Sequence, residues 1–215
     1  MFSDDYIIRM IRQATAVLAK IIGLKQAGEY TQALQEIDQA LEQSLGMDID
    51  IIRILDDEGV YRILTQNGKM DLEKLEFIAD LFKEEGEILL LQGQKQQSDN
   101  YFLSSLTYYL KVSLNADASQ QEELSRKLEA VVRKLGDHPY PDGILFDLSC
   151  HYENNGKYAK AESILTMPSA RPGMGANGNS ELVAFYQRLL ELDPKVLSAN
   201  GMSRKKIQNK LKELS

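Results

Sequence analysis

The residue types able to do chemistry are few and scattered in this 215-residue sequence. Cys150, the single cysteine, stands beside His151, and His138 is the other histidine. Neighbours on a helix project about 100° apart, so Cys150 and His151 do not make a thiolate–imidazole pair. Nothing in the flanking sequence lowers the thiol pKa. Two histidines and one cysteine also offer no zinc-ligand spacing. Gly173, Gly175 and Gly178 spell G-x-G-x-x-G, but a dinucleotide site needs a preceding strand and a βαβ unit, and helical patterns lie on both sides. Asp56, Asp57 and Glu58 form one acidic run, and Glu84, Glu85 and Glu87 another. Carboxylates that share protons must converge across a pocket, whereas a run along one helix faces water. No segment alternates Asp or Asn with a glycine and a distal Glu, as a calcium loop does. Tyr101, Tyr108, Tyr109, Tyr152 and Tyr158 suit a groove and a helix interior equally, because tyrosine is amphipathic. The sequence therefore assigns no catalytic, cofactor-binding or metal-binding residue.

Composition narrows the class further. Apolar residues make up 43% and charged residues 27%, and the formal net charge is −7. That balance opposes general affinity for nucleic acid or an anionic membrane, since both need a basic face. The tail carries Arg204, Lys205, Lys206, Lys210 and Lys212, which reads as one solvated basic helix. A lone thiol fits a reducing compartment. At the start, Asp4 and Asp5 sit where a secretory signal wants positive charge, and Arg9, Arg12 and Lys20 interrupt the apolar run. No stretch reaches 18 uncharged apolar residues. The expectation is a cytoplasmic protein with no nucleic-acid or membrane partner and no cofactor.

The elements that would position any site are helices. Prolines occur only at 139, 141, 168, 172 and 194. Before them, apolar residues recur at helical spacing, as in Ile7, Ile11, Ala14, Leu18 and Ile21. The pattern predicts an all-α chain, a single domain over 1–215 divisible into 1–68, 69–137 and 138–215. A first helix runs from about Ser3 to Lys25. Gly46 ends the second, Gly68 suits a helix C-terminus, and Asp71 caps a long helix reaching about Gln94. Ser119 and Glu122 form a capping-box pattern for a helix that Gly136 ends. Residues 167–180 form a loop rich in Pro, Gly, Ser and Asn.

One spacing is written twice. Gly28, Tyr30, Ala33 and Ile37 follow the same pattern as Gly156, Tyr158, Ala161 and Leu165. A glycine in a tight turn permits positive φ, and an alanine one turn later lets a partner helix come close. The helix before Gly156 adds Leu145, Leu148, Ser149 and Tyr152. Together these residues resemble the tetratricopeptide repeat, a helix-turn-helix unit of about 34 residues. The resemblance implies antiparallel helix pairs in an irregular, right-handed superhelical stack. The opening MFSDDYIIRMI also resembles a family of uncharacterised bacterial proteins with tetratricopeptide-like folds.

The resemblance implies a non-catalytic module that docks a protein or peptide in a concave helical groove. Its groove positions fall on Phe146, Asp147, Cys150, Glu153 and Asn154. Two alternatives stay open. The first helix, with Ile7, Ile8, Met10, Ile11, Val17, Leu18, Ile21 and Ile22, could pair with a second copy in a homodimer. Residues 167–180 could instead form the lid of an enzyme or a small-molecule site. The repeat alignment predicts that Ala161→Glu destabilises the fold by about 2 to 4 kcal/mol through overpacking and a buried charge. An unchanged melting temperature would refute that alignment.

Overall fold

A computed structural model of the chain describes residues 2–167 and 175–214. Its described residues form twelve helices and one two-stranded ribbon, so the fold is all-α. Close contacts divide the chain into two units, Met1–Gly136 and Asp137–Ser215.

The first unit begins with α1 (Phe2–Gln26) and α2 (Tyr30–Leu45), which pack as a hairpin. Two short helices follow, α3 (Ile49–Ile52) and α4 (Asp57–Leu64). Each has an aspartate cap: Asp48 accepts from the Asp50 amide and Asp56 from the Gly59 amide. The ribbon β1 (Thr65–Gln66) and β2 (Lys69–Met70) then turns at Asn67-Gly68, both at positive φ. Asn-Gly is the pair that a two-residue hairpin favours. Gly68 thus serves a ribbon, not the helix C-terminus expected for it. Asp71 caps α5 (Leu72–Leu91) by accepting from the Lys74 amide at 3.0 Å. The unit ends with α6 (Lys95–Ser113) and α7 (Ala118–Leu135). The capping box of α7 uses Asp117 and Gln120, two residues upstream of the expected pair.

The second unit holds α8 (Asp142–Asn154), α9 (Tyr158–Leu165), α10 (Gly175–Glu191), α11 (Pro194–Ala199) and α12 (Arg204–Leu214). Helix α8 packs on α9, and α10 packs on α9 and α12. The stretch expected as a loop over 167–180 is helical from Gly175 onward. Residues 168–174, including Gly173, lie outside the described residues.

One turn joins three of the helix pairs. Gly28, Gly93 and Gly156 have φ of 78°, 78° and 69°. After each, the amide of the next residue donates to a carbonyl five residues back: Glu29 to Leu24, Gln94 to Leu89, Lys157 to Tyr152. The glycine amide itself reaches three residues back, to Lys25, Leu90 and Glu153. These are the paired bonds of a Schellman ending, which requires a left-handed residue. Five residues after each glycine stands a small residue of zero exposure: Ala33, Ser98 and Ala161. The middle turn does not show in the sequence pattern, because Lys95 stands where the others have tyrosine and Ser98 where they have alanine. Helix α5 therefore ends at Leu91, short of the Gln94 expected.

The other expected repeat positions divide by burial. Ile37, Leu145, Leu148, Ser149, Tyr152 and Tyr158 are buried, while Tyr30 is half-buried. Leu165 is half-buried as well, and Ile164 beside it is the core residue of α9. The short helix turns so that position 164, three residues after Ala161, faces inward.

Helices α5 and α6 approach most closely. A Cβ at Gly86 would lie 2.9 Å from two ring carbons of Phe102 and 3.2 Å from the Ser98 carbonyl oxygen. Ser98 Oγ donates to the Gly86 carbonyl at 2.7 Å, and Ser105 Oγ to the Ala79 carbonyl at 2.8 Å. Small residues on both helices let hydroxyls replace side-chain bulk. Gly23, inside α1, has no atom within 4 Å of an added Cβ. Two alanine substitutions should therefore differ in sign. Gly23→Ala should stabilise by about 0.5 to 1 kcal/mol through helix propensity. Gly86→Ala should destabilise by about 1 to 3 kcal/mol through overpacking. Urea melts of the two variants check this, and stabilisation by both would sink the close-packing account.

Candidate functional site

Helix α5 carries more acid than its burial would suggest. Glu84 is 2% exposed and Glu85 5%, and Asp80 is also buried. The water-facing expectation for Glu84, Glu85 and Glu87 is thus overturned. Glu76, Asp80, Glu84 and Glu87 recur at three- or four-residue steps and so share one stripe. Lys127 of α7 donates to Glu76 at 2.7 Å and to Asp80 at 2.8 Å. Tyr109 of α6 donates to Asp80 as well. Lys25 of α1 bonds Glu84 and Glu87, and Lys134 of α7 lies 3.3 Å from Glu87. Burial works against charge on Lys25 and Lys127, yet their carboxylates hold both pKa values above the ordinary one. Burial likewise works against the charge of Glu87, but Lys25 and Lys134 pull its pKa below the usual range.

Glu85 points from another side of α5 to Arg53, the residue that ends α3. Arg53 Nη1 donates to Glu85 Oε2 at 2.8 Å and to the Tyr101 hydroxyl at 2.7 Å, while Nη2 donates to Asp38 of α2. The guanidinium also sits 5.4 Å from the centre of the Tyr101 ring. Two carboxylates share this one cation. Burial raises the pKa of Glu85, and Arg53 only partly offsets that. Burial and the nearby Glu85 charge push Tyr101 up to about 12.

Beside this knot lies a cleft of about 600 Å³. That volume is in the range of small-ligand and side-chain pockets. Its floor and walls are Ile52, Val60, Phe82, Tyr101 and Tyr108. Phe82 meets both tyrosines, with ring centroids 5.6 Å from Tyr101 and 5.7 Å from Tyr108. Polar groups of α6, namely Gln97, Asn100 and Ser104, also line it, as do Asp56 and Asp57 before and at the start of α4. Asp57 is half-buried and interacts with the Tyr108 hydroxyl. Burial raises its pKa, and Asp56 and Glu58 add to the rise. Arg53 lines it too.

The sequence reading noted Tyr101, Tyr108 and the Asp56–Glu58 run separately. The structure brings Tyr101, Tyr108, Asp56 and Asp57 to this cleft and leaves the other tyrosines elsewhere. Tyr109 turns to Asp80, while Tyr152 and Tyr158 are core residues of the second unit. Arg53, Phe82 and Asn100 carried no signal, because only the packing of α3, α5 and α6 joins them.

The groove positions expected on α8 also belong to the second unit. Phe146 is 43% exposed and Asn154 is exposed; Asp147, Cys150 and Glu153 are half-buried. Arg188 of α10 clasps Glu153 with two bonds of 2.8 Å. Burial pushes the Cys150 thiol pKa up, and His151 beside it is buried. Of the apolar residues expected to make α1 self-associate, Ile21 is buried and Val17, Leu18 and Ile22 are half-buried. The side chains of Ile7, Ile8, Met10 and Ile11 lie outside the described residues. Among those described, no cluster of three or more His, Cys, Asp or Glu could hold a metal ion, and no helix is long and apolar enough to cross a membrane.

The sequence matches a family of unknown function, DUF6483, over residues 1–215. The chain belongs to that family. No curated protein and no solved structure matches it.

The Arg53 knot sets a pH-dependent cost. Arg53→Met should destabilise the first unit by about 3 kcal/mol near neutral pH, the low end for a broken buried pair because Arg53 keeps some solvent contact. Glu85 already has a raised pKa, and losing Arg53 raises it further. A carboxyl raised on folding favours the folded state below its unfolded value, and that benefit is lost as pH rises through the folded one. The deficit of Arg53→Met against wild type should therefore shrink as pH falls from 7 toward about 4.5. Chemical melts at both pH values check it, and a deficit that grows on acidification would refute the assignment.

Proposed function

We propose that the protein is a non-catalytic interaction module of tetratricopeptide-like design that docks a peptide of a partner protein. One observation carries this reading. The cleft joins an aromatic wall, Phe82, Tyr101 and Tyr108, to an edge of amide and hydroxyl groups, Gln97, Asn100 and Ser104. Aromatic anchors bury much area for little lost side-chain entropy, and amides and hydroxyls orient a backbone. The recurrent Schellman turns at Gly28, Gly93 and Gly156 support the repeat-like reading, since each fixes a close helix pair. Helices packed in this way hold their surface side chains in place before a ligand arrives, which lowers the entropy lost on binding. The cleft is a better candidate than the α8 positions, where Arg188 already occupies Glu153.

The test selects peptides from a random 12-residue display library on the full chain, then measures the affinity of the best binders by calorimetry. Asn100 is exposed on α6 and lines the cleft, so Asn100→Trp fills the site without disturbing the core. That variant should weaken the selected peptides at least tenfold, and Phe146→Ala should leave them unchanged. Loss with Phe146→Ala alone would move the binding surface to the second unit and overturn this placement.

A further inference from the structure

The charge around the cleft says what should enter it. Asp56, Asp57 and Arg53 line the cleft, and Asp38 and Glu85 stand behind Arg53 as its partners. Arg53 is not available to a ligand anion. Its bonds already go to Asp38, Glu85 and the Tyr101 hydroxyl, and both carboxylates would repel an incoming negative group. Asp57 differs from the buried acids of α5. Each of Asp80, Glu84 and Glu85 has a cation on another helix or turn, while Asp57 has the Tyr108 hydroxyl and two further acids, Asp56 and Glu58. Among the described residues no cation pairs with it. Yet Asp57 is half-buried in the lining of a cleft that also presents the rings of Phe82 and Tyr101.

Resting on the peptide-docking reading above, we infer that this cleft receives a lysine or arginine side chain of the partner peptide. Its aliphatic stem lies along the half-buried rings of Phe82 and Tyr101, and its charged head reaches Asp57 and Asp56. Three alternatives fit less well. An anionic group meets an excess of like charge. A bare divalent cation needs a converging shell of oxygen ligands, and among the described residues no group of three or more His, Cys, Asp or Glu could hold one. A purely apolar side chain would fill the aromatic channel but would further desolvate Asp57 without pairing it. A long cationic side chain satisfies both parts at once, because it carries an apolar stem and a charged tip. Ring faces beside the carboxylates add cation–π attraction, as Arg53 already does with Tyr101.

The display selection decides this separately from the docking reading. Peptides that Asn100→Trp weakens should share a lysine or arginine at one position. Replacing that residue by norleucine should weaken binding to wild type at least tenfold. Asp57→Asn keeps the shape and the acceptor for Tyr108 but removes the charge, and should cost a similar factor. Asp56→Asn, at an exposed position, gives a second variant that leaves the buried side untouched. Cleft-dependent peptides that bind norleucine and lysine equally well would overturn the basic-residue inference and leave docking intact. Selected peptides that ignore Asn100→Trp, or no selected peptide at all, would overturn both.

Discussion

The buried acids of helix α5 draw most of their counter-charge from other helices, with Lys83 of α5 itself 2.8 Å from Glu84. A lone carboxylate in an apolar interior costs several kcal/mol, and here Asp80, Glu84 and Glu85 are all enclosed. The other answering cations come from different parts of the chain: Lys25 from α1, Arg53 from the end of α3, Lys127 from α7. Apolar contact alone would hold α5 against its neighbouring helices in several registers, since hydrophobic burial has no direction. Paired charges select one. Lys127 must bridge Glu76 and Asp80 while Lys134 reaches Glu87, which sets how far along α5 the last helix of the unit can sit. The ion pairs are weak evidence for stability but strong constraints on position.

That constraint works with a second, steric one. The α5–α6 contact uses Ala79, Gly86, Ser98 and Ser105, so the two backbones come close and the serine hydroxyls bond to the facing carbonyls. Phe102 packs on Gly86 within the contact, while other large residues stand at its margins. Phe82 and Tyr101 are such residues, and their rings meet edge-on at the surface instead of being enclosed. The aromatic wall of the cleft is thus a by-product of the packing of this pair. The Asn-Gly ribbon after α4 completes the site by bringing the Asp56–Val60 turn back beside α5.

How much of this was legible in the sequence follows from range. Caps and turn glycines act over a few residues, so Asp71, Gly46 and Gly136 were readable as helix ends. Ala33, Ala161 and Leu148 were readable as core because helical spacing places them there. The Gly93 turn obeys the same backbone rule, but its side chains, Lys95 and Ser98, hide it from a pattern built on tyrosine and alanine. The acids of α5 were misread for a different reason. A run of glutamates looks solvated unless the partner is known, and Lys25 lies 59 residues from Glu84. The cleft was invisible on the same ground, since Arg53, Phe82 and Asn100 share no local signal. The Asp56–Glu58 run was half right: its outer members are exposed, and only Asp57 turns under Tyr108.

The polarity of the cleft is a consequence of the way α5 is anchored. Arg53 has to answer Glu85, because a bare carboxylate at 5% exposure would not remain charged. Reaching Glu85 brings Arg53 to Asp38 and across the face of Tyr101, and its charge is spent there. The adjoining Asp57 is then left with neutral and negative neighbours. Arg53 is engaged by both Asp38 and Glu85, so among the described residues Asp57 has no cation of its own. The proposed cationic side chain of a partner peptide would complete the charge balance.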